Sequence, residues 1–401
     1  MSRVDRAPPA RPGGPKGRSP LSLRIALAIG AACATVGLLE AGARLVFPGT
    51  APRLAMYRSQ ADVVYEILPS FRGVGPRGEA VRINAAGLRG AELAGKREGA
   101  MRVLMVGDSF TFGLGVSEEE SLPGALQRAL EAATGAASAA AQPPATPGAP
   151  RTEVLNAGVP GYNLFQERRF IDRRAAELEP DVIVLVMIEN DLYNVDGSDF
   201  VALDDGTLAW RPGSFQPDIN VNPFAALSGP WLWLQLHSVA FREASFRAIR
   251  ARLELEGDRE LAARARASET SSDLPSRLLR AEDDDDTRPR WRAAENELRA
   301  ATATAARLGV PLVVVLFPRP EQLFSERLRA GFARLATIAT AAGARLVDPS
   351  AGMARAPDRI GLYLFPGDHH PGPRGYDLVA AALAPVVDAA LPGAGATGSA
   401  Q

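Results

Sequence analysis

The 401-residue chain has one cysteine, Cys33, and it sits in an apolar run close to the N-terminus. No internal disulfide can therefore brace the fold, and no thiolate cluster can hold zinc. Histidine is almost as scarce, with only His237, His369 and His370. Neither pairing of these has a third ligand at a suitable spacing, which argues against a metal centre, and no cofactor is expected. Lysine occurs only at Lys16 and Lys96, and arginine carries the positive charge. The formal net charge is −1, so no basic face points to nucleic acid. What the chain does have is ordinary globular composition: 46% hydrophobic and 23% charged residues, enough for one large core with appendages. The 38 glycines and 32 prolines fall in loops and Ala-rich tracts rather than in a fibrous repeat.

Residues 1–20 carry Arg3, Arg6, Arg11, Lys16 and Arg18 against Asp5 and read as a disordered, basic, cytoplasmic tail. The segment 21–47 follows. Its uncharged centre, Ile25 to Leu39, is about 22 Å long as a helix at about 1.5 Å per residue, short of the approximately 30 Å hydrocarbon core. Arg24 and Arg44 can snorkel, and the flanking apolar residues extend the run, so the whole segment can cross a membrane as a single-pass anchor. Glu40 is the awkward residue in it. The positive tail before the span predicts an N-terminus inside and the remainder on the extracytoplasmic, periplasmic or cell-envelope side. Cleavage as a signal peptide at Ala41-Gly42-Ala43, and burial as a core helix, are competing readings. Residues 48–99 are short apolar patches broken by Pro and Gly, a lead-in in which Val81 to Arg89 forms a hairpin or a strand and turn.

Strand and helix signals then alternate. Strands are expected at 102–106, 153–156, 181–188, 311–317 and 345–348, the third as a continuous apolar run suited to burial on both faces. Helices are expected at 121–133, 164–178, 290–308, 321–342 and 375–390. Residues 136–150 read as a solvated loop. The alternation predicts an α/β fold, a parallel sheet with helices on both faces. Residues 195–285 interrupt it as an insertion or cap over the crevice. They hold Trp210, Trp231 and Trp233, read as core residues rather than sugar-stacking platforms, a charged helical run at 247–266, and Asp283 to Asp286, read as a solvated acidic run rather than a calcium loop.

The chemistry-bearing stretch is Arg102 to Gly113. Its strand stops at Gly107-Asp108-Ser109, which leaves a serine where the carboxyl ends of parallel strands open into a ligand crevice. Ser109 reads either as a nucleophile there or as a helix cap in a polar turn. Two further strand ends carry polar or Gly-bearing turns: Gly158 and Gly161 after the second, Asn190 after the third. Parallel strands end on one edge, so the three turns can converge. A serine needs a base, and the base needs an acid to fix its tautomer. Asp368-His369-His370, before the last helix, offers both; His237 reads as a structural or surface histidine.

At these residues the chain resembles the SGNH hydrolases, also called GDSL-type esterases. The resemblance covers roughly residues 100–390 apart from the insertion. It rests on Gly107-Asp108-Ser109-Phe110, on Asn156 to Gly161, on Asn190-Asp191, and on Asp368 to His370 followed by Pro371 and Gly375. The lead-in Ile83 to Arg89 and the single N-terminal span resemble membrane-anchored bacterial members. The resemblance implies a flavodoxin-like three-layer α/β/α fold with a mainly parallel five-stranded sheet. It implies Ser109 as nucleophile, His370 as base and Asp368 as orienting acid, with an oxyanion hole from the Ser109 and Gly161 N–H groups and the Asn190 amide. Two positions depart from the family pattern. Ile188 stands where the third block usually has glycine, so strand three is expected to approach less closely. The usual acid position falls on Gly367, so Asp368 takes that part, with His369 and another carboxylate as the alternative pairing. The expected division is a tail at 1–20, an anchor at 21–47, a lead-in at 48–99 and a catalytic domain at 100–394. The expected function is a membrane-tethered serine esterase acting on small-molecule, glycan or lipid esters, O-acetyl among the candidate acyl groups. Two alternatives are an O-acyltransferase with the same triad and an inactive envelope-binding module.

Overall fold

The computed structural model describes residues 21–46, 56–75, 79–138, 152–193, 195, 197, 200–202, 208–210, 234, 237–241, 243–245, 257–364 and 369–392. The basic tail, Trp231, Trp233, Gly367 and Asp368 lie outside the described residues. Five strands form the central sheet: β5 (Met101–Gly107), β6 (Thr152–Gly158), β7 (Val182–Met187), β10 (Leu312–Leu316) and β11 (Arg345–Val347), in the order β11-β10-β7-β5-β6. All four pairings are parallel, with Leu104 opposite Leu155 and Ile183, and Val314 opposite Leu185 and Leu346. The chain therefore leaves β5 toward β6, then crosses back to β7 and continues outward. That reversal between β5 and β7 opens a crevice at the carboxyl edge of the sheet.

Alternation of side chains builds two cores from one sheet. In β7, Ile183, Leu185 and Met187 pack with Phe170 and Ile171 of α4 (Leu164–Leu178) and Leu298 of α7 (Thr287–Arg307). Val182, Val184 and Val186 face the other way, against Leu126 and Leu130 of α3 (Leu122–Ser138), Met353 of α9 (Ser350–Ala354), and Val379 and Leu383 of α10 (Pro373–Asp388). A strand apolar at every position is what burial on both faces requires. α4 starts at a capping box in which Gln166 N–H donates to Asn163 Oδ1 (3.1 Å) and Asn163 N–H to Gln166 Oε1 (3.3 Å).

The expected helix at 321–342 is a correction. The chain makes two 3₁₀ turns, Pro320–Leu323 and Arg327–Arg329, before α8 (Ala330–Ala341) begins. Side chains compete for the backbone there: Arg319 N–H donates to Gln322 Oε1 (2.9 Å), Gln322 Nε2 to the Leu328 carbonyl (3.2 Å), and Leu328 N–H to Ser325 Oγ (3.4 Å). α3 also runs further than the expected end at residue 133, to Ser138.

The lead-in consists of two antiparallel ribbons, β1 (Tyr57–Gln60) with β2 (Val64–Ile67), and β3 (Arg72–Val74) with β4 (Ala80–Arg82). Val63, Tyr65, Ile67, Val81, Ile83 and Leu88 join the α4 side of the core. In the insertion, β8 (Phe200–Ala202) pairs with β9 (Leu208–Trp210), and α5 (Gly257–Thr270) and α6 (Leu274–Leu279) lead into α7. The acidic run before α7 is tied to arginines: Arg277 binds Asp284 (2.9 Å) and Asp286 (2.8 Å), and Arg288 binds Asp283 (2.8 Å).

The N-terminal helix α1 (Leu21–Val46) has no buried residue and a mean hydropathy of 1.8 over its most apolar window. It is long and apolar enough to be a membrane span or a signal sequence. Glu40 has partners: its carboxylate accepts from Ser238 Oγ (2.8 Å), Val239 N–H (3.1 Å) and Ala240 N–H (3.2 Å), and bonds Arg44 (2.7 Å). His237 is exposed, and its carbonyl accepts from Arg44 Nη2 (2.9 Å).

Candidate active site

The nucleophile turn begins where β5 ends. A Cβ on Gly107 would stand 2.1 Å from Thr111 Oγ1 and 2.9 Å from the Val186 carbonyl oxygen, so a side chain there would force β5 and β7 apart. Asp108 caps the one-turn helix α2 (Ser109–Phe112), its Oδ1 accepting from Phe110 N–H (2.8 Å). Asp108, not Ser109, is the cap, which leaves the serine as the first helical residue at the crevice. On the other side, a Cβ on Gly158 would come within 2.2 Å of the Phe112 nitrogen, so the end of β6 also needs glycine for α2 to lie against it.

His370 Nε2 lies 2.8 Å from Ser109 Oγ. A short antiparallel strap holds this histidine. Leu364 N–H donates to the His370 carbonyl (2.8 Å), Tyr363 bridges Pro371, and Gly372 N–H donates to the Leu362 carbonyl (2.9 Å). Tyr363 Oη anchors the strap on the Pro318 carbonyl (2.6 Å), and the Phe110 ring lies 5.3 Å from the imidazole. Asp368 is outside the described residues. His369 points elsewhere: its Nδ1 lies 3.5 Å from Glu321 Oε1 and 3.3 Å from Arg319 Nη2, and its Nε2 lies 3.0 Å from Arg264 Nη1 of α5. His369 thus has Glu321 as its neighbouring carboxylate, while the serine contact belongs to His370. Arg319 also binds Glu189, which accepts from Tyr193 Oη (3.1 Å). Glu321 and Arg319 sit far from the histidines in sequence, and no spacing signal pointed to them.

The other two turns reach the same edge. Gly161 has φ +84° in a turn closed by Tyr162 N–H on the Val159 carbonyl (3.0 Å). Tyr65 of the lead-in braces this turn, its Oη donating to the Pro160 carbonyl (3.1 Å), while Tyr162 Oη donates to the Tyr65 carbonyl (2.7 Å). Asn190 follows β7 in a 3₁₀ turn, Glu189–Leu192, and its side-chain amide lies near the Asp108 carboxylate. Ile188, at the position expected to loosen the approach, adopts extended backbone (φ −123°, ψ 177°) and buries its side chain with the α3 and α10 core. No left-handed conformation is needed there, and the Asn190 side chain still lies near the Asp108 carboxylate. Asp191 closes the turn, its Oδ2 accepting from Ile188 N–H (2.7 Å).

Three carboxyls lie buried behind the turn. Asp108, Glu167 and Asp191 are all fully shielded. Burial pushes Asp108 up from the ordinary carboxylate range, against hydrogen bonds from Phe110 and Ser109, the field of His370 and the nearby Asn190 amide. Burial pushes Glu167 well up, and the neighbouring Asp108 adds to it. Asp191 is raised by burial first, then by Glu167 and Asp108. Neither Glu167 oxygen has a hydrogen-bond partner among the described residues. Among the described residues no group of His, Cys, Asp and Glu is arranged to hold a metal ion.

A serine and a histidine in contact at the switch point of a parallel sheet in flavodoxin-like order define the class: an α/β protein with its chemistry on the carboxyl edge. The sequence profile of the GDSL-like lipase/acylhydrolase family matches residues 105–378, and the chain belongs to that family. As a member of that family it is an ester hydrolase, built on the five-stranded parallel sheet described above. Among solved structures it is similar to the lipase/acylhydrolase from Enterococcus faecalis, with 13% identity, 73% of this chain and 97% of that chain covered, and a TM-score of 0.37. It is similar to a putative lipolytic protein of the G-D-S-L family from Desulfitobacterium hafniense, with 12% identity, 71% and 99% coverage, and a TM-score of 0.36. A third is a member of the lipolytic protein G-D-S-L family from Veillonella parvula, with 15% identity, 72% and 98% coverage, and a TM-score of 0.36. No curated protein matches the chain.

Proposed function

We propose that the protein is a membrane-tethered, extracytoplasmic serine esterase with Ser109 as nucleophile, His370 as general base and Asp368 as the acid that orients it. The observation that carries this reading is the 2.8 Å contact between His370 Nε2 and Ser109 Oγ. Neutral Nε2 accepts the hydroxyl proton as Oγ attacks the ester carbonyl. The carbonyl oxygen becomes an oxyanion, held by the Ser109 and Gly161 N–H groups and by the Asn190 side-chain amide. The tetrahedral intermediate collapses, the alkoxide leaves with the proton from His370, and Ser109 holds the acyl group as an ester. Water, deprotonated by His370, then releases the acid and restores Ser109.

The α1 helix supports the tether, and the basic residues before it support an N-terminus on the cytoplasmic side. Acyl esters of envelope glycans or lipids are the substrate class that a catalytic domain held at a membrane meets. Hydrolysis of a short-chain aryl ester tests the chemistry. Ser109→Ala should lose about 10⁴-fold or more in kcat while its melting midpoint stays near that of the wild type. Wild-type turnover in the alanine variant would sink the assignment.

A further inference from the structure

The lead-in motif Ile83 to Arg89 takes no part in the chemistry above, yet its arginine ends on the far end of the turn that Ser109 opens. Asn84 folds the motif: its Oδ1 accepts from Ala86 N–H (3.0 Å) and Leu88 N–H (3.0 Å), and its Nδ2 donates to the Ala91 carbonyl (2.9 Å). Ile83 and Arg89 then face each other across an antiparallel bridge, and Arg89 N–H donates to the Asn156 carbonyl of β6 (3.0 Å). This turn drives the Arg89 side chain inward until the residue is 3% exposed.

The guanidinium ends on three carbonyls. Nη1 donates to Phe112 (2.7 Å) and Gly113 (2.6 Å), and Nη2 donates to Val116 (2.7 Å). The Phe112 carbonyl also accepts from Asn156 Nδ2 (3.1 Å), and the guanidinium carbon lies 4.7 Å from the centre of the Phe112 ring. The carbonyl end of α2 is thus gripped by side chains from two other segments. α2 has four residues. A single turn has no stability of its own, so its direction is imposed from outside. Ser109 opens that turn and Phe112 closes it, so whatever fixes the Phe112 and Gly113 carbonyls fixes the line from Ser109 Oγ to His370 Nε2.

We propose that Arg89 is a positioning residue for Ser109: its guanidinium clamps the end of α2 and so aims the serine hydroxyl at His370. The proposal rests on the reading of Ser109 as nucleophile. Arg89 is a poor choice for stability alone. Its charge is buried against carbonyls, burial makes its protonated form harder to hold, and its Nε is buried without a partner among the described residues. An apolar side chain of similar shape would avoid these penalties. It could not place donors on three carbonyls from one rigid fork.

The experiment compares wild type, Arg89→Met and Arg89→Lys as full-length chains. Each is measured for ester kcat and KM, for the limiting rate of fluorophosphonate labelling, and for melting midpoint. Leu298→Ala, in the α7 core, serves as a control for destabilisation away from the site. Arg89→Met should lose about 10- to 100-fold in kcat and in labelling rate with KM changed less than about threefold, because misplacement by about 1 Å is enough for such a loss. Arg89→Lys should recover part of it. Leu298→Ala should melt lower and keep kcat within about threefold of wild type. A folded Arg89→Met with kcat within about twofold of wild type, or an equal kcat loss in Leu298→Ala, overturns the proposal. So does a chain that folds with neither substitution at Arg89, which would assign the residue to the stability of the lead-in. A folded wild type inert to both ester and probe would remove the nucleophile reading itself, and the positioning proposal with it.

Discussion

The Ser109 hydroxyl has one proton and two acceptors in reach, His370 Nε2 at 2.8 Å and Asp108 Oδ2 at 3.2 Å. Only the first bond leads to attack. Asp108 is already engaged by Phe110 N–H, and its complete burial disfavours its charge. Glu167 is the residue where such burial, with the Asp108 charge beside it, is readable as stability. Its folded-state pKa is raised, so folding favours the protonated form. The associated stability is fully present below the unfolded value of about 4.3 and is lost as pH climbs through the raised folded value. Glu167→Gln removes the titration and keeps the shape. Its melting midpoint should match wild type in acid and exceed it increasingly as pH rises. A parallel fall of the two profiles across that range would contradict the account.

At the scale of elements, the site depends on how closely three strand ends approach α2. Gly158 sets one of those distances. Gly158→Ala should cost about 1–3 kcal/mol, because a backbone nitrogen stands where the methyl would go, and it should slow the labelling of Ser109. An unchanged denaturation midpoint and labelling rate would refute the close-approach argument. The same strands were the most legible part of the chain. β7 and β10 are buried at every position, and their unbroken apolar runs say so directly. The 3₁₀ turns before α8 were not legible, because the residues that break the helix, Gln322 and Ser325, act through side-chain bonds that periodicity does not register. The histidine next to Ser109 was readable from the last sequence block. The Glu321, Arg319 and Arg264 surroundings of His369 were not, since they come from two segments far from it in sequence. Arg89 stood in a motif noticed for its resemblance, and nothing in its spacing revealed three carbonyl contacts from 23 to 27 residues away.

At the scale of the whole molecule, the apolar helix and the catalytic fold are joined through the lead-in, which braces the site from outside through Tyr65 and Arg89. If α1 is a retained span, the full-length chain should remain in the membrane pellet through an alkaline wash, and its N-terminus should be intact. A mature chain beginning after Ala43 would show cleavage instead. The central claim is that Ser109 is a nucleophile activated by His370. Fluorophosphonate labelling of the full-length protein, with the adduct mapped by mass spectrometry, tests it most directly. The account predicts a single adduct on Ser109 in the wild type, none in Ser109→Ala, and labelling slowed by orders of magnitude in His370→Ala. A folded wild type that takes up no label, or one labelled equally well without His370, would contradict it.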